Sequence, residues 1–195
     1  ASDADSNSLA YFLSDTSDLS GKGTLSSVSG NQVTFTPNAN WNGTASFTYK
    51  ANDGTSDSNI STVTITVAAV NDAPAAQAVT TGTDEDTPLA ITLSATDIDS
   101  SSFTYSIVDS SGLSGKGSLS AVSGDQVTFT PEANWNGTAT FTYKANDGAL
   151  DSVPVSVTIT VDAVNDAPVA QPVTTGTDED TPLAITLSAT DIDSS

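Results

Sequence analysis

Every long motif in the first half of the chain returns 94 residues later. Trp41-Asn42-Gly43 comes back as Trp135-Asn136-Gly137, and Asn71-Asp72-Ala73-Pro74 as Asn165-Asp166-Ala167-Pro168. The overlap needs no gap, and about three-quarters of the aligned positions are identical. A period this long, with so few differences, requires a string of similar domains rather than one large fold. It also argues against an enzyme. A catalytic site is normally one of a kind, whereas near-copies multiply length or valency.

The chain has 195 residues, enough for two domains of ordinary size. Hydrophobic residues make up 36%, low enough to raise disorder, but regular strand patterning argues for folded units. Acidic residues number 24 against four basic ones, all lysines: Lys22, Lys50, Lys116 and Lys144. With so little positive charge, nucleic acid is excluded as a partner and an anionic membrane surface repels the chain. No transmembrane run is present. Cys, His and Met are absent, which excludes ordinary zinc, copper and iron–sulfur sites as well as disulfides. Stability must then come from the cores, or from hard cations held by oxygen ligands.

One full copy, 71–164, reads as about seven strands. Leu89, Ile91, Leu93 and Ala95 alternate onto one face, as do the residues of Phe103 to Ile107. Ser118 to Val122 reads as a weaker strand. Gln126 to Thr130 follows a Gly124-Asp125 turn signal. Thr138 to Ala145 places Phe141, Tyr143 and Ala145 on one side, and Val155, Val157, Ile159 and Val161 close the unit. A short strand near Val79 completes it. Gly, Asn, Asp and Pro punctuate these strands at β-sandwich spacing, and no segment has a helical apolar period. The threonines at 128, 130, 142, 158 and 160 are read as solvated strand faces. Trp41 and Trp135 are read as core plugs rather than sugar platforms. The triplets Asn42-Gly43-Thr44, Asn136-Gly137-Thr138 and Asn59-Ile60-Ser61 match the glycosylation sequon only weakly, since such triplets are frequent by chance in this composition.

The acidic residues gather at strand ends: Asp84-Glu85-Asp86, Asp97-x-Asp99, Asn146-Asp147-Gly148 and the linker Asn165-Asp166. An Asp-x-Asp pair leaving a strand sets two carboxylates roughly 6–7 Å apart on one side, a span suited to a hard divalent ion. Paired acids also serve glycoside hydrolysis. Here the same set recurs in each copy without other catalytic groups, so Ca²⁺ is the preferred reading, beside that of ion-free acidic turns.

The ordered series Asp97-Ile-Asp99, Phe103-Thr-Tyr-Ser-Ile107, Tyr143-Lys-Ala-Asn-Asp147-Gly148 and Val-Asn165-Asp166-Ala-Pro168 resembles a cadherin-type repeat. More specifically, the chain resembles the tandem Ig-like/cadherin-like repeats of giant bacterial secreted or surface adhesins. Asp-Glu-Asp-Thr-Pro-Leu and Phe-Thr-Pro-x-Ala-Asn-Trp-Asn-Gly belong to the shared pattern, which covers the whole chain. The resemblance implies an all-β fold: tandem seven-stranded Ig/cadherin-like β-sandwiches in an elongated array.

It also implies Ca²⁺ at the domain junctions. Carried over, the first junction would use Asn71, Asp72, Asp97, Asp99 and Asp147. The second would use Glu85, Asn165, Asp166, Asp191 and Asp193. Asp3, Asp5 and Asp53 would serve a junction upstream. Two departures remove ligand charge. The cadherin Asp-Arg-Glu motif is replaced by Glu132-Ala133-Asn134 and by Asn38-Ala39-Asn40. A linker aspartate falls on Ala163, with Asp162 one position early, and the first copy has Ala68-Ala69. Fewer or weaker ions per junction are therefore expected than in cadherins.

The phase of the repeat divides the chain into 1–70, a repeat without its first strands; 71–164, a complete sandwich; and 165–195, the first strands of a third. This is read as a piece of a longer array, with strand donation between copies as the alternative. The expected function is that of a structural extender in an extracellular or cell-surface fibre, its partners being neighbouring repeats. Glycans or a cell surface would be met through other domains. The alternative is that the repeats themselves bind glycans or one another.

Overall fold

The computed structural model describes residues 8–193. It divides into two compact units, 1–71 and 72–195. The described residues contain no α-helix; every long element is a strand, as the period-2 patterning predicts.

Unit 1 contains β1 (Ala10–Asp15), β2 (Gly23–Leu25), β3 (Phe35–Pro37), β4 (Gly43–Asn52) and β5 (Ser61–Val67). Unit 2 begins with β6 (Ala75–Ala76), β7 (Val79–Asp84), β8 (Leu89–Thr92) and β9 (Ala95–Thr96). It continues with β10 (Thr104–Asp109), β11 (Gly117–Leu119), β12 (Gln126–Pro131), β13 (Gly137–Asn146) and β14 (Val155–Asp162). The short strands β15 (Val169–Ala170) and β16 (Ala189–Thr190) pair with each other, as β6 and β9 do.

Unit 2 is a sandwich. One sheet has the order β10-β13-β14-β7, the other β11-β12-β8. All pairings are antiparallel except β14 with β7, which is parallel. The inward residues of both sheets meet in one core: Ile91, Val127, Phe129, Phe141, Tyr143, Val157 and Ile159 are all buried. Alternation explains this directly. Ala139, Phe141, Tyr143 and Ala145 of β13 point inward, and the threonines between them face outward. Full burial of each large side chain contributes about 1.5–3 kcal/mol relative to exposure. Gly117 is obligatory for a steric reason: a Cβ there would lie 2.5 Å from the Thr130 carbonyl oxygen.

Both units share a device that the strand pattern did not reveal. The first strand of the main sheet slips register, between Leu13 and Asp15 in β1 and between Ile107 and Asp109 in β10. A single 3₁₀ turn follows, Ser17–Leu19 or Ser111–Leu113. Asp15 and Asp109 accept the amides of Ser17 and Ser111 at 2.9 and 2.8 Å, and each turn drops a leucine, Leu19 or Leu113, into the core.

Unit 1 has the same framework but a thinner core. Its sheet is β1-β4-β5, with a separate β2-β3 hairpin. Tyr49, Val63, Ile65, Val33 and Phe35 are only half-buried, whereas Tyr143, Val157, Ile159, Val127 and Phe129, 94 residues later, are buried. The tryptophans differ from the core-plug expectation. Both are half-buried rims: Trp41 meets Phe35 edge-on at 6.5 Å, and Lys116 Nζ lies 5.9 Å from the Trp135 ring centroid. The Asn-Trp-Asn-Gly turn requires positive φ at Asn40 and Asn134, which holds each indole over the rim of its core.

Candidate metal centre

The linker backbone meets the Asp-x-Asp motif at two places, 94 residues apart. In the first cluster the Asp72 amide donates to Asp99 Oδ2 at 2.9 Å, and the Asp99 amide donates to Asp97 Oδ1 at 2.7 Å. Ninety-four residues later the Asp166 amide donates to Asp193 Oδ2, and the Asp193 amide to Asp191 Oδ1 at 2.9 Å. The strand ends at Thr96 and Thr190, and the aspartate that follows folds back to cap its own turn.

The second cluster also gathers the loop after β7. Glu85 is 5% exposed, and its Oε1 accepts the Val164 amide at 2.6 Å. Asp86, held at φ 60°, accepts the Asn134 amide at 3.0 Å. Asn134, Asp166 and Asp191 line one open cleft. Burial, and then the negative charges of Asp193, Asp86, Glu85 and Asp191, hold the Asp166 carboxyl above its ordinary value.

One oxygen in each cluster is buried without a hydrogen-bond partner: Asp97 Oδ2 in the first and Asp166 Oδ2 in the second. An unsatisfied carboxylate oxygen is costly. The donors are all hard oxygens, which suits Ca²⁺. Side-chain packing alone does not assemble a finished cage: among the described residues no group of three or more His, Cys, Asp or Glu is placed to hold a metal ion. The clusters are acidic, partly unsatisfied and open.

Other expected ligands have local tasks. Asp147 Oδ1 accepts the amides of Ala149 and Leu150, both at 2.7 Å. Asp53 Oδ1 accepts those of Thr55 and Ser56 at 2.6 and 2.7 Å, and these amides draw its carboxyl below the ordinary range. Asn71 is the last residue of unit 1, and Asn165 donates from its side chain to the Asp166 carbonyl at 2.7 Å. Asp3 and Asp5 lie outside the described residues. Asp86 and Asn134 were not chosen from the sequence. The signal for Asp86 was its place in the Asp84-Glu85-Asp86 run. Asn134 stands at the position where the cadherin motif carries charge.

Comparison with known proteins bears on this arrangement. A family model described as a bacterial Ig domain matches residues 1–66 and again 71–160. Over 65 residues, or 33% of the chain, the sequence is 38% identical to integrin beta-like protein B of Dictyostelium discoideum, and the match takes in 3% of that protein. Among solved structures, protocadherin gammaB7 EC3-6 is similar with a TM-score of 0.56 and 23% identity, over 94% of this chain and 52% of that one. Protocadherin Gamma B2 extracellular cadherin domains 1-5 is similar with a TM-score of 0.54 and 20% identity, over 97% and 40%. The chain thus spans a small part of its curated relative and about half or less of these structures. Identity at this level speaks for the fold: tandem β-sandwiches of the Ig/cadherin-like kind.

Proposed function

Because the chain belongs to the bacterial Ig-domain family, in two tandem copies, we propose that it is a structural extender of an extracellular or cell-surface protein. Its function is distance, its chemistry is non-catalytic, and Ca²⁺ stiffens each place where one repeat gives way to the next. The observation that supports this most is the step-for-step recurrence of the carboxylate clusters with the fold. Asp72, Asp97 and Asp99 return as Asp166, Asp191 and Asp193, and each cluster keeps one buried oxygen without a partner.

In this reading Glu85, Asn165, Asp166, Asp191 and Asp193 hold an ion, with Asp86 as an added ligand. Asn71, Asp72, Asp97, Asp99 and Asp147 form the earlier set, and Asp3, Asp5 and Asp53 an upstream one. When bound, the ion supplies the positive charge that these carboxylates lack. Linker and loop, joined to one ion, lose their freedom to swing. The acidic surface elsewhere, with a net charge of −20, keeps neighbouring repeats from adhering.

Isothermal titration of Ca²⁺ into the chelator-stripped chain tests the proposal. Saturable binding that weakens in Asp166→Asn and in Asp97→Asn is expected. Absence of saturable binding up to about 10 mM, beyond the 10⁻⁴–10⁻³ M range usual for extracellular modules, would remove the calcium part of the proposal.

A further inference from the structure

Where the chain leaves β14, a side chain takes over the task of a backbone carbonyl. β7 and β14 run parallel from Val157↔Val79 to Asp162↔Asp84. The next rung is the Glu85 amide, which donates to the Asp162 carbonyl at 2.9 Å. In a ladder continued at the same spacing, Val164 would stand opposite Asp86, and its amide would donate to the Glu85 carbonyl. The backbone turns away before that rung. Asp86 takes φ 60°, and the Thr87 amide folds back to the Asp84 carbonyl at 3.3 Å. The same residue still serves the Val164 amide, with its carboxylate: Glu85 Oε1 accepts it at 2.6 Å.

Burial sets Glu85 apart from its neighbours. Asp84 and Asp86 are exposed, whereas Glu85 is 5% exposed. A solvated acidic turn has no reason to bury the middle one of three acids, because a buried carboxylate is costly unless donors meet it. The donor here lies 79 residues away in sequence. Asp86 reaches a second distant segment, accepting the Asn134 amide at 3.0 Å. The loop Asp84–Asp86 thus ties down both the exit of β14, ahead of Asn165-Asp166, and the turn that carries Trp135.

We infer that Glu85 is a positioning residue: its carboxylate fastens the chain at Val164 without any ion. The swing that an ion must stop then begins at Asn165 rather than at the end of β14. A hydrogen bond to an ionised acceptor is about twice as strong as one between neutral groups, which suits a single tie at a chain exit. The fastening stands by itself; its use as a support for the cluster around Asp166 rests on the calcium proposal.

The test is amide hydrogen exchange, read by NMR on the 195-residue chain in chelator. The Val164 amide should be protected in the parent chain. Glu85→Ala should lose roughly tenfold or more of that protection. The Asn134 amide and those of β13 and β14 should keep theirs. Glu85→Gln retains an Oε1 at the same reach and should hold most of the protection at Val164. Exchange of the parent Val164 amide at the rate of an open peptide overturns the inference, as does unchanged protection in Glu85→Ala. Equal loss in Glu85→Gln and Glu85→Ala overturns it as well, since charge rather than a held acceptor would then be at work. So does a loss spread over β13 and β14, which would make Glu85 a part of the core and nothing more. No arm contains an ion, so failure here leaves the calcium proposal standing, and failure to bind Ca²⁺ leaves the fastening standing.

Discussion

Tyr143 and Tyr49 occupy equivalent positions, yet removing the same hydroxyl from each should have very different consequences. Tyr143 is fully buried. Its hydroxyl lies 2.9 Å from the Ser94 carbonyl oxygen and also reaches the Gln77 carbonyl, while the Ser94 amide approaches it at 3.3 Å. With one proton it can donate to only one carbonyl at a time. The Gln77 amide also donates to Ser94 O at 2.9 Å, so Gln77 O is the group that depends on the tyrosine. Tyr143→Phe removes the donor of that part-buried hydrogen bond, at a cost of about 0.5–1.5 kcal/mol. For a domain of this size each kcal/mol lowers the midpoint by about 4–8 °C. Tyr49 is half-exposed, beside Tyr11 at 6.3 Å, and water can serve its hydroxyl. Tyr49→Phe should change stability by no more than about 0.5 kcal/mol. Differential scanning calorimetry reads both. The expected result is a lowered second-unit transition in Tyr143→Phe and no change in Tyr49→Phe. Equal effects, or a silent Tyr143→Phe, would refute the assignment of the hydroxyl as the tie between the β6–β9 ribbon and the main sheet.

Two further outcomes follow. Ile159→Ala should cost about 2–5 kcal/mol and Ile65→Ala clearly less, because Ile159 is buried and Ile65 only half so; urea denaturation of each variant checks this. The pH profile in chelator should have two limbs. Asp166 is raised above its ordinary 3.8, so its ionised form weighs against the folded state at neutral pH, and that burden lifts as pH falls through the raised value toward 3.8. Asp18, Asp57 and Asp151, each hydrogen-bonded to a lysine, and Asp109, which holds Ser111, lie below 3.8; their contribution is present above 3.8 and lost as pH falls through the depressed values. Melting curves of Asp166→Asn should lack the first limb and keep the second.

Strand identity was legible because burial imposes a period of two: the alternation of Leu89, Ile91 and Leu93, or of Phe141, Tyr143 and Ala145, has one reading in a sandwich. The 3₁₀ turn carrying Leu113 was not legible, since a single apolar residue in a Ser/Gly stretch has no period. Trp135 misled because its size suggests full burial, whereas the positive φ at Asn134 sets it on the rim. For the site, spacing set Asp97 and Asp99 side by side, and it was the cadherin resemblance that implied they would meet the linker. It did not foresee that Asp147 and Asp53 close turns with Oδ1, because turn capping and cation binding select the same residue type. Asp86 was legible only as part of an acidic run, because its contact with Asn134 spans 48 residues.

The most direct test of the account is the melting of unit 2 with chelator and with about 10 mM Ca²⁺. For a dissociation constant of 10⁻⁴–10⁻³ M, binding to the folded state alone adds about 1.4–2.7 kcal/mol. The account predicts a rise in that transition of several degrees with Ca²⁺, and a smaller rise in Asp166→Asn. An identical transition under both conditions would contradict it.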